Sequence, residues 1–105
     1  MNTITKIAAD IEQERLGQVA ELSADNGEHW ADGYRPGTFG CHELLDRTAT
    51  LADMIEQQIQ THPACVANAD WYRQAEQAAR TLRDLYQQIG AEHLAVDSLA
   101  ADASV

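Results

Sequence analysis

Four side chains that commonly bind zinc lie at the two ends of one predicted helix. Cys41 and His42 begin that helix, and His62 and Cys65 follow its end. Two cysteines and two histidines are typical of a structural zinc site when both halves come together. A helix rises about 1.5 Å per residue, which separates these two halves by roughly 30 Å. The spacing therefore argues against one zinc site, and we expect both cysteines to be small apolar fillers.

A second group of polar side chains, His42, Asp46, Glu92 and His93, is better placed to converge. His42 and Asp46 share one helix face, and an antiparallel hairpin brings residues 88–93 opposite them. Imidazoles and carboxylates between helices can bind a transition metal or transfer a proton. The chain lacks the Glu-x-x-His pattern of bundle metal sites, so polar helix ends are the simpler interpretation. A metal-binding or metal-dependent hydrolytic bundle using these four residues stays open as the alternative function.

Two acidic pairs have a spacing of three residues: Glu43 with Asp46, and Asp53 with Glu56. Helical pyrophosphatases could use such pairs to bind magnesium. Any acidic amphipathic helix shows this spacing on its solvated face, and Glu43 already has Arg47 at the favourable i+4 position. The chain also lacks the common nucleotide-binding, nucleophile-elbow and zinc-protease motifs. The sequence therefore predicts no catalytic residue, no cofactor and no enzyme activity.

The elements that would position these groups are helices, so we expect residues 1–105 to form one all-α domain. The first strong helix, over 41–61, carries its apolar stripe on Leu44, Thr48, Leu51, Ile55 and Ile59. Thr38 is expected to cap the start of this helix. Pro63 should end it near residue 62, because proline cannot continue a helix.

A second strong helix is predicted over 69–93, with its apolar stripe on Trp71, Ala75, Ala78, Leu82, Leu85 and Ile89. A short connection would fold it antiparallel to the first helix, so that the two stripes face each other as a helical hairpin. A weaker stripe predicts an N-terminal helix over 3–23, which could cover part of the face that the hairpin leaves open. Residues 95–105 have little to pack against and are expected to form a disordered tail.

Residues 24–40 combine turn-forming residues with aromatic side chains. The segment holds four of the six glycines, and we expect an ordered loop whose rings pack on the helices or dock on a partner. Two further aromatic residues, Trp71 and Tyr72, follow the turn between the strong helices, where they close the hairpin or form a binding knob. The residues expected to serve an interaction surface are Trp30, Tyr34, Phe39, Leu51, Ile55, Trp71, Tyr72 and Leu82.

The charge balance excludes some classes of partner. Asp and Glu number 17 against 7 Lys and Arg, for a formal net charge of -10. The basic residues are dispersed and form no patch for direct binding of nucleic acid or an anionic membrane. No segment reaches the ~18 apolar residues of a membrane span. The N-terminus lacks a secretory signal, so we expect a cytoplasmic protein with reduced cysteines.

Three short motifs mark the strong helices: FGCHE at 39–43, HPA at 62–64 and LYQQIG at 85–90. On these motifs, residues 39–94 resemble a group of short bacterial and phage proteins. That group shares FGCHE, then HPA, then a tryptophan-led helix ending in LYQ-x-IG. No activity is attached to the group, so the resemblance implies no catalytic residue.

The sequence as a whole predicts a small acidic, non-enzymatic protein-interaction module. A core of this size is marginal, and a two-helix hairpin leaves one apolar face open, so we expect self-association as a dimer. The acidic surface keeps the chain soluble, or it meets a basic, nucleic-acid-handling protein on which the module acts as an inhibitor or adaptor.

Overall fold

The computed structural model describes residues 7–103, with side chains described over 7–95. Every regular element within this part of the chain is helical, which confirms the predicted all-α class. The main helices are α1 (Ala8–Asn26), α2 (Phe39–Met54), α3 (Pro63–Val66) and α4 (Ala69–Ala103). A short 3-10 turn covers Trp30–Gly33, and a π-helical turn covers Ile55–Ile59. The chain divides into two compact units, Met1–Asp32 and Gly33–Val105.

The first unit is built on α1, which lies slightly C-terminal to its predicted range of 3–23; residues 3–6 lie outside the described part. Gly27 ends the helix with a φ of 94°, a left-handed conformation that favours glycine, and its N–H donates to the Ser23 carbonyl. Arg15 bonds to Glu12 one turn earlier. None of the residues Ala8–Asn26 is buried.

The start of α2 is fixed by a side-chain cap and by one glycine. Thr38 Oγ1 accepts a hydrogen bond from the Cys41 N–H at 3.4 Å, which confirms the predicted cap. Gly40 is required here because a Cβ atom would lie 2.3 Å from the ring of Tyr34 and 2.4 Å from the carbonyl oxygen of Gly33. The helix therefore begins at Phe39, two residues earlier than predicted.

The end of α2 contains an irregularity that the sequence analysis did not predict. After Met54 the chain continues through a π-helical turn, in which the Gln60 N–H donates to the Ile55 carbonyl at 2.9 Å. The predicted break at proline is confirmed: Pro63 is the first residue of α3, and His62 Nδ1 caps that short helix by accepting from the Ala64 N–H.

Helix α4 begins at a side-chain cap and extends further than predicted. Asn68 Oδ1 accepts hydrogen bonds from the N–H groups of Asp70 and Trp71, both at 3.1 Å. The helix does not end near residue 93 but continues to Ala103, where a disordered tail was expected. The sequence beyond residue 93 is rich in alanine and holds neither proline nor glycine, so nothing in it ends a helix.

Helix α2 packs against α4, and together they form the α2–α4 pair that carries the second unit. The contacts between them run in opposite chain order. Leu45 lies beside Gly90, whereas Asp53 and Glu56, later in the chain, bond to Arg83.

The side chains that fill the packed seam are small or polar. The buried residues of the described part are Cys41, Thr48, Ala52, Cys65, Ala79 and His93. The two predicted apolar stripes therefore do not simply face each other. Small residues set the closest approach of two helices, so they define the line of contact and leave the larger stripe residues beside it.

Candidate functional site

The four polar residues predicted to converge are only partly brought together. His42 Nε2 lies 3.5 Å from Asp46 Oδ2, and the rings of His42 and His93 lie 5.9 Å apart between centroids. Glu92 is exposed, whereas His93 is only 8% exposed. The structure thus pairs the two histidines at the end of the α2–α4 pair that lies opposite the π-helical turn.

His93 has a defined hydrogen bond that fixes its protonation pattern. Its Nδ1 accepts from the Gly37 N–H at 2.8 Å, so in the neutral ring the proton sits on Nε2. Gly37 has a φ of 88°, which places this turn in the left-handed region that favours glycine. His93 therefore ties the segment before α2 to α4, and its Nδ1 lone pair is already used.

A shallow groove of about 540 Å³ opens beside the two histidines. Its lining is mostly apolar and includes Leu45, Tyr86, Gly90 and Leu94. In the described part of the chain, no three His, Cys, Asp or Glu side chains come close enough to hold a metal ion. Both cysteines are buried free thiols.

Three of the four carboxylates in the two predicted acidic pairs lie beside arginines. Glu43 lies 3.6 Å from Arg47, as predicted from their i,i+4 spacing. Asp53 and Glu56, at the other end, both accept hydrogen bonds from Arg83 of α4, a contact that the sequence analysis missed. The hydrogen bond from Arg83 lowers the pKa of Glu56, and the bonds to Glu56 and Asp53 raise the pKa of Arg83. One guanidinium thus engages both carboxylates, which are therefore not free for magnesium.

The most extensive candidate site is an apolar face on one side of the α2–α4 pair. Leu51, Met54 and Ile59 line its groove, and helix periodicity places Leu44, Trp71 and Leu85 on the same side. These six side chains are between 43% and 58% exposed. A groove of about 390 Å³ joins the two helices here, lined by Leu51, Met54, Ile55, Gln58, Ile59 and Leu82. The term apolar face refers below to these six side chains and this groove.

In the α2–α4 pair the small side chains are buried and the large apolar ones are exposed, which is the reverse of an ordinary core. Ala52 is fully buried and Ala79 nearly so, whereas Leu51, the residue next to Ala52, is 52% exposed. In globular proteins Leu, Ile and Met are among the residues most often fully buried. Large apolar side chains outside a seam of small ones are typical of docking surfaces, which makes this face the leading candidate site.

The π-helical turn contributes directly to this face. In an uninterrupted α-helix, Ile59 would lie eleven residues after buried Thr48 and therefore on the same inward side. The inserted residue of the π-helical turn rotates the chain, and Ile59 is half-exposed on the apolar face. Gln60 is turned inward instead, and its Oε1 is buried without a hydrogen-bond partner within the described residues.

The residues predicted to serve an interaction surface fall into two groups. Leu51, Ile55, Leu82 and Trp71 lie on or line the apolar face, as the spacing of their stripes could show. Four residues of this face were not among the predicted ones: Leu44, Met54, Ile59 and Leu85. The outward position of Ile59 depends on the π-helical turn, which no pattern in the sequence reveals. The aromatic residues outside this face differ in exposure: Trp30 is half-buried, Tyr72 and Tyr34 are exposed, and Phe39 is 81% exposed.

No protein-family model, curated protein or solved structure matches this chain. Among the described residues, no helix is both long enough and apolar enough to cross a bilayer.

Proposed function

We propose that this chain is a small, non-enzymatic protein-interaction module whose working surface is the apolar face. The proposal treats α2 and α4 as an antiparallel helical hairpin. The reversed order of the contacts from Leu45 to Gly90 and from Glu56 to Arg83 supports that arrangement. The single observation that carries the proposal is that six large apolar side chains stay about half-exposed on one side of the hairpin while alanines fill its seam.

The energy available on this face is sufficient for docking. Fully burying a Leu, Ile or Met side chain stabilises by about 1.5–3 kcal/mol, so completing the burial of a half-exposed one adds about 1 kcal/mol. Six such side chains then supply about 6 kcal/mol, and a partner that buries a similar apolar area doubles this. Association costs on the order of 4–15 kcal/mol, so a gain of about 12 kcal/mol is comparable to the cost, as expected for a reversible complex.

The acidic surface offers a second mode of recognition, which we propose is directed at a basic protein. Helix α1 carries five acidic residues against one arginine, and Arg15 is already bonded to Glu12. Its apolar residues Ile11, Leu16 and Leu22 are also exposed. An acidic amphipathic helix of this kind suits an inhibitor or adaptor that meets a positively charged surface.

The test of the proposal compares a charge placed on the apolar face with the same charge beside it. At the lowest protein concentration that the assay allows, where association does not cover the face, Leu51→Glu should abolish most of the binding of an apolar dye such as bis-ANS. Helicity by circular dichroism should be retained. Thr50→Glu is the matched control, because adjacent helix positions point about 100° apart. Equal dye binding by both variants and the wild type would contradict the proposal.

A further inference from the structure

We infer that the occupant of the apolar face is a second copy of this chain, docked through the same face so that two α2–α4 pairs form a four-helix assembly. The inference rests on the proposed function, which requires only that the face dock a protein. It adds the identity of the partner and the symmetry of the contact: the same surface of both copies meets across a two-fold axis.

The first support is a heptad pattern on α4. Half of its apolar residues pack within the chain and the other half are exposed. Apolar positions of α4 alternate in steps of four and three over Trp71, Ala75, Ala78, Leu82, Leu85 and Ile89, the spacing of the a and d positions of a heptad. Every second member (Ala75, Leu82, Ile89) is partly buried, while the alternate members (Trp71, Ala78, Leu85) are exposed.

Helix α2 repeats this division. Its positions 41, 44, 48, 51 and 55 alternate in steps of three and four. Cys41 and Thr48 are buried, whereas Leu44 and Leu51 are about half-exposed. Both helices therefore present an unfilled half of a heptad seam on the same side. Two more helices with the same repeat could pack against these exposed residues, and α2 and α4 of a second copy are two such helices.

The second support is the charge of the positions that border the seam. In a coiled coil the residues flanking the a and d positions set the choice of partner. On α4 these border positions, beside the exposed half of the seam, are Gln74, Thr81 and Gln88, and Gln58 lines the groove at the π-helical turn. All four are uncharged, whereas on α2 Glu43, Asp46 and Arg47 line a groove with Leu51, and Arg47 lies 3.6 Å from Glu43.

A border that is uncharged on α4 and carries an internal ion pair on α2 favours a second copy over a basic partner. A basic protein would be matched by acidic residues along the seam, because complementary charges steer association and fix register. Two copies at a net charge of -10 repel each other, so docking is most favourable where the border carries little net charge. The paired charges Glu56, Glu76, Arg80 and Arg83 instead line a separate groove of about 270 Å³.

The π-helical turn is the third support. It moves Ile59 from the inward side of the helix to the apolar face and leaves the Oε1 atom of Gln60 buried with no hydrogen-bond partner among residues 7–95. An unsatisfied buried acceptor is unfavourable within the single chain. The irregularity extends the exposed row of Leu44 and Leu51 by one more large side chain, which lengthens the surface available to the second copy.

The test is the sedimentation velocity of the full chain from about 1 to 100 µM, with two variants that each add one negative charge to α4. Thr81→Glu places the charge on the border, on an exposed residue that the monomer does not need for packing. Gln87→Glu places it by the histidine groove, away from the seam. A two-fold contact contains each substitution twice, once in each copy. Thr81→Glu should therefore raise the dimer dissociation constant at least about tenfold. Gln87→Glu should change that constant by no more than about twofold. Leu85→Glu should give a helical monomer throughout the range.

A wild-type dimer that weakens with Thr81→Glu and not with Gln87→Glu supports the inference. A wild-type monomer at every concentration overturns it, as does an oligomer that responds equally to the two variants. If such a monomer still loses its dye binding through Leu51→Glu, the interaction module stands and only the identity of its partner is refuted. Failure of Leu85→Glu to fold leaves the comparison of Thr81→Glu with Gln87→Glu decisive.

Discussion

In the α2–α4 pair the small side chains are buried and the large ones are exposed. Enlarging the buried Ala52 should therefore destabilise the fold more than truncating the exposed Leu51 beside it. Ala52 is completely buried in the seam, so Ala52→Leu forces extra carbon atoms into packed space. Such overpacking costs about 1–3 kcal/mol. In a domain of 60–100 residues, 1 kcal/mol shifts the melting temperature by about 4–8 °C. We therefore expect Ala52→Leu to lower the melting temperature by about 8–16 °C, on a cost of ~2 kcal/mol.

Leu51→Ala should have the smaller effect. Leu51 is 52% exposed, so truncation removes only about half the transfer energy of a buried leucine and leaves no closed cavity. The expected cost is ~1 kcal/mol or less, partly offset by the higher helix propensity of alanine. Thermal melts by circular dichroism at low micromolar concentration minimise any contribution from association. A cost of 3 kcal/mol or more for Leu51→Ala, with Ala52→Leu near neutral, would refute the assignment of seam and face.

Three further outcomes follow from particular contacts of the second unit. His93→Phe leaves the Gly37 N–H without its acceptor, so urea denaturation should show a loss of about 1–3 kcal/mol, and an unchanged midpoint would contradict this role. Because the hydrogen bond from Arg83 lowers the pKa of Glu56 below its ordinary value of 4.5, the stability that Glu56 contributes is present above that pH and is lost as the pH falls through the folded-state pKa. Melts of Glu56→Gln below pH 4.5 should therefore depend less on pH than the wild type, and parallel curves would count against the contact. Thr38→Ala removes the cap of α2 and should cost ~1 kcal/mol in urea denaturation, whereas Thr38→Ser should cost little.

Much of the helical framework could be predicted because it depends on local residues. The hydroxyl of Thr38, the ring of Pro63 and the amide oxygen of Asn68 each act on backbone within a few residues, so their roles are visible in the sequence. The extension of α4 to Ala103 was missed because the apolar stripe fades after residue 93, although nothing there stops a helix.

The apolar face could be predicted only in part. The spacing identified Leu51 and Leu82 as members of apolar stripes but assigned those stripes to the contact between the helices. Which residues form that contact depends on how closely the helices approach, and buried Ala52 and Ala79 decide it. The outward turn of Ile59 depends on a π-helical turn that has no sequence signature.

The contacts of the histidine cluster could also be predicted only in part. The pairing of His42 with Asp46 follows from helix geometry alone. The bond between the Gly37 N–H and His93 spans 56 residues of sequence, so only the folded chain reveals that this histidine anchors a turn.

Native mass spectrometry of the untagged protein, before and after treatment with a chelator, tests the central claim most directly. An interaction module that docks through its apolar face on a second copy should appear at twice the chain mass of 11.6 kDa, unchanged by the chelator. Leu51→Glu should shift that signal to the monomer. A wild-type monomer carrying one metal ion that the chelator removes would contradict the account and make His42 and His93 the first residues to replace.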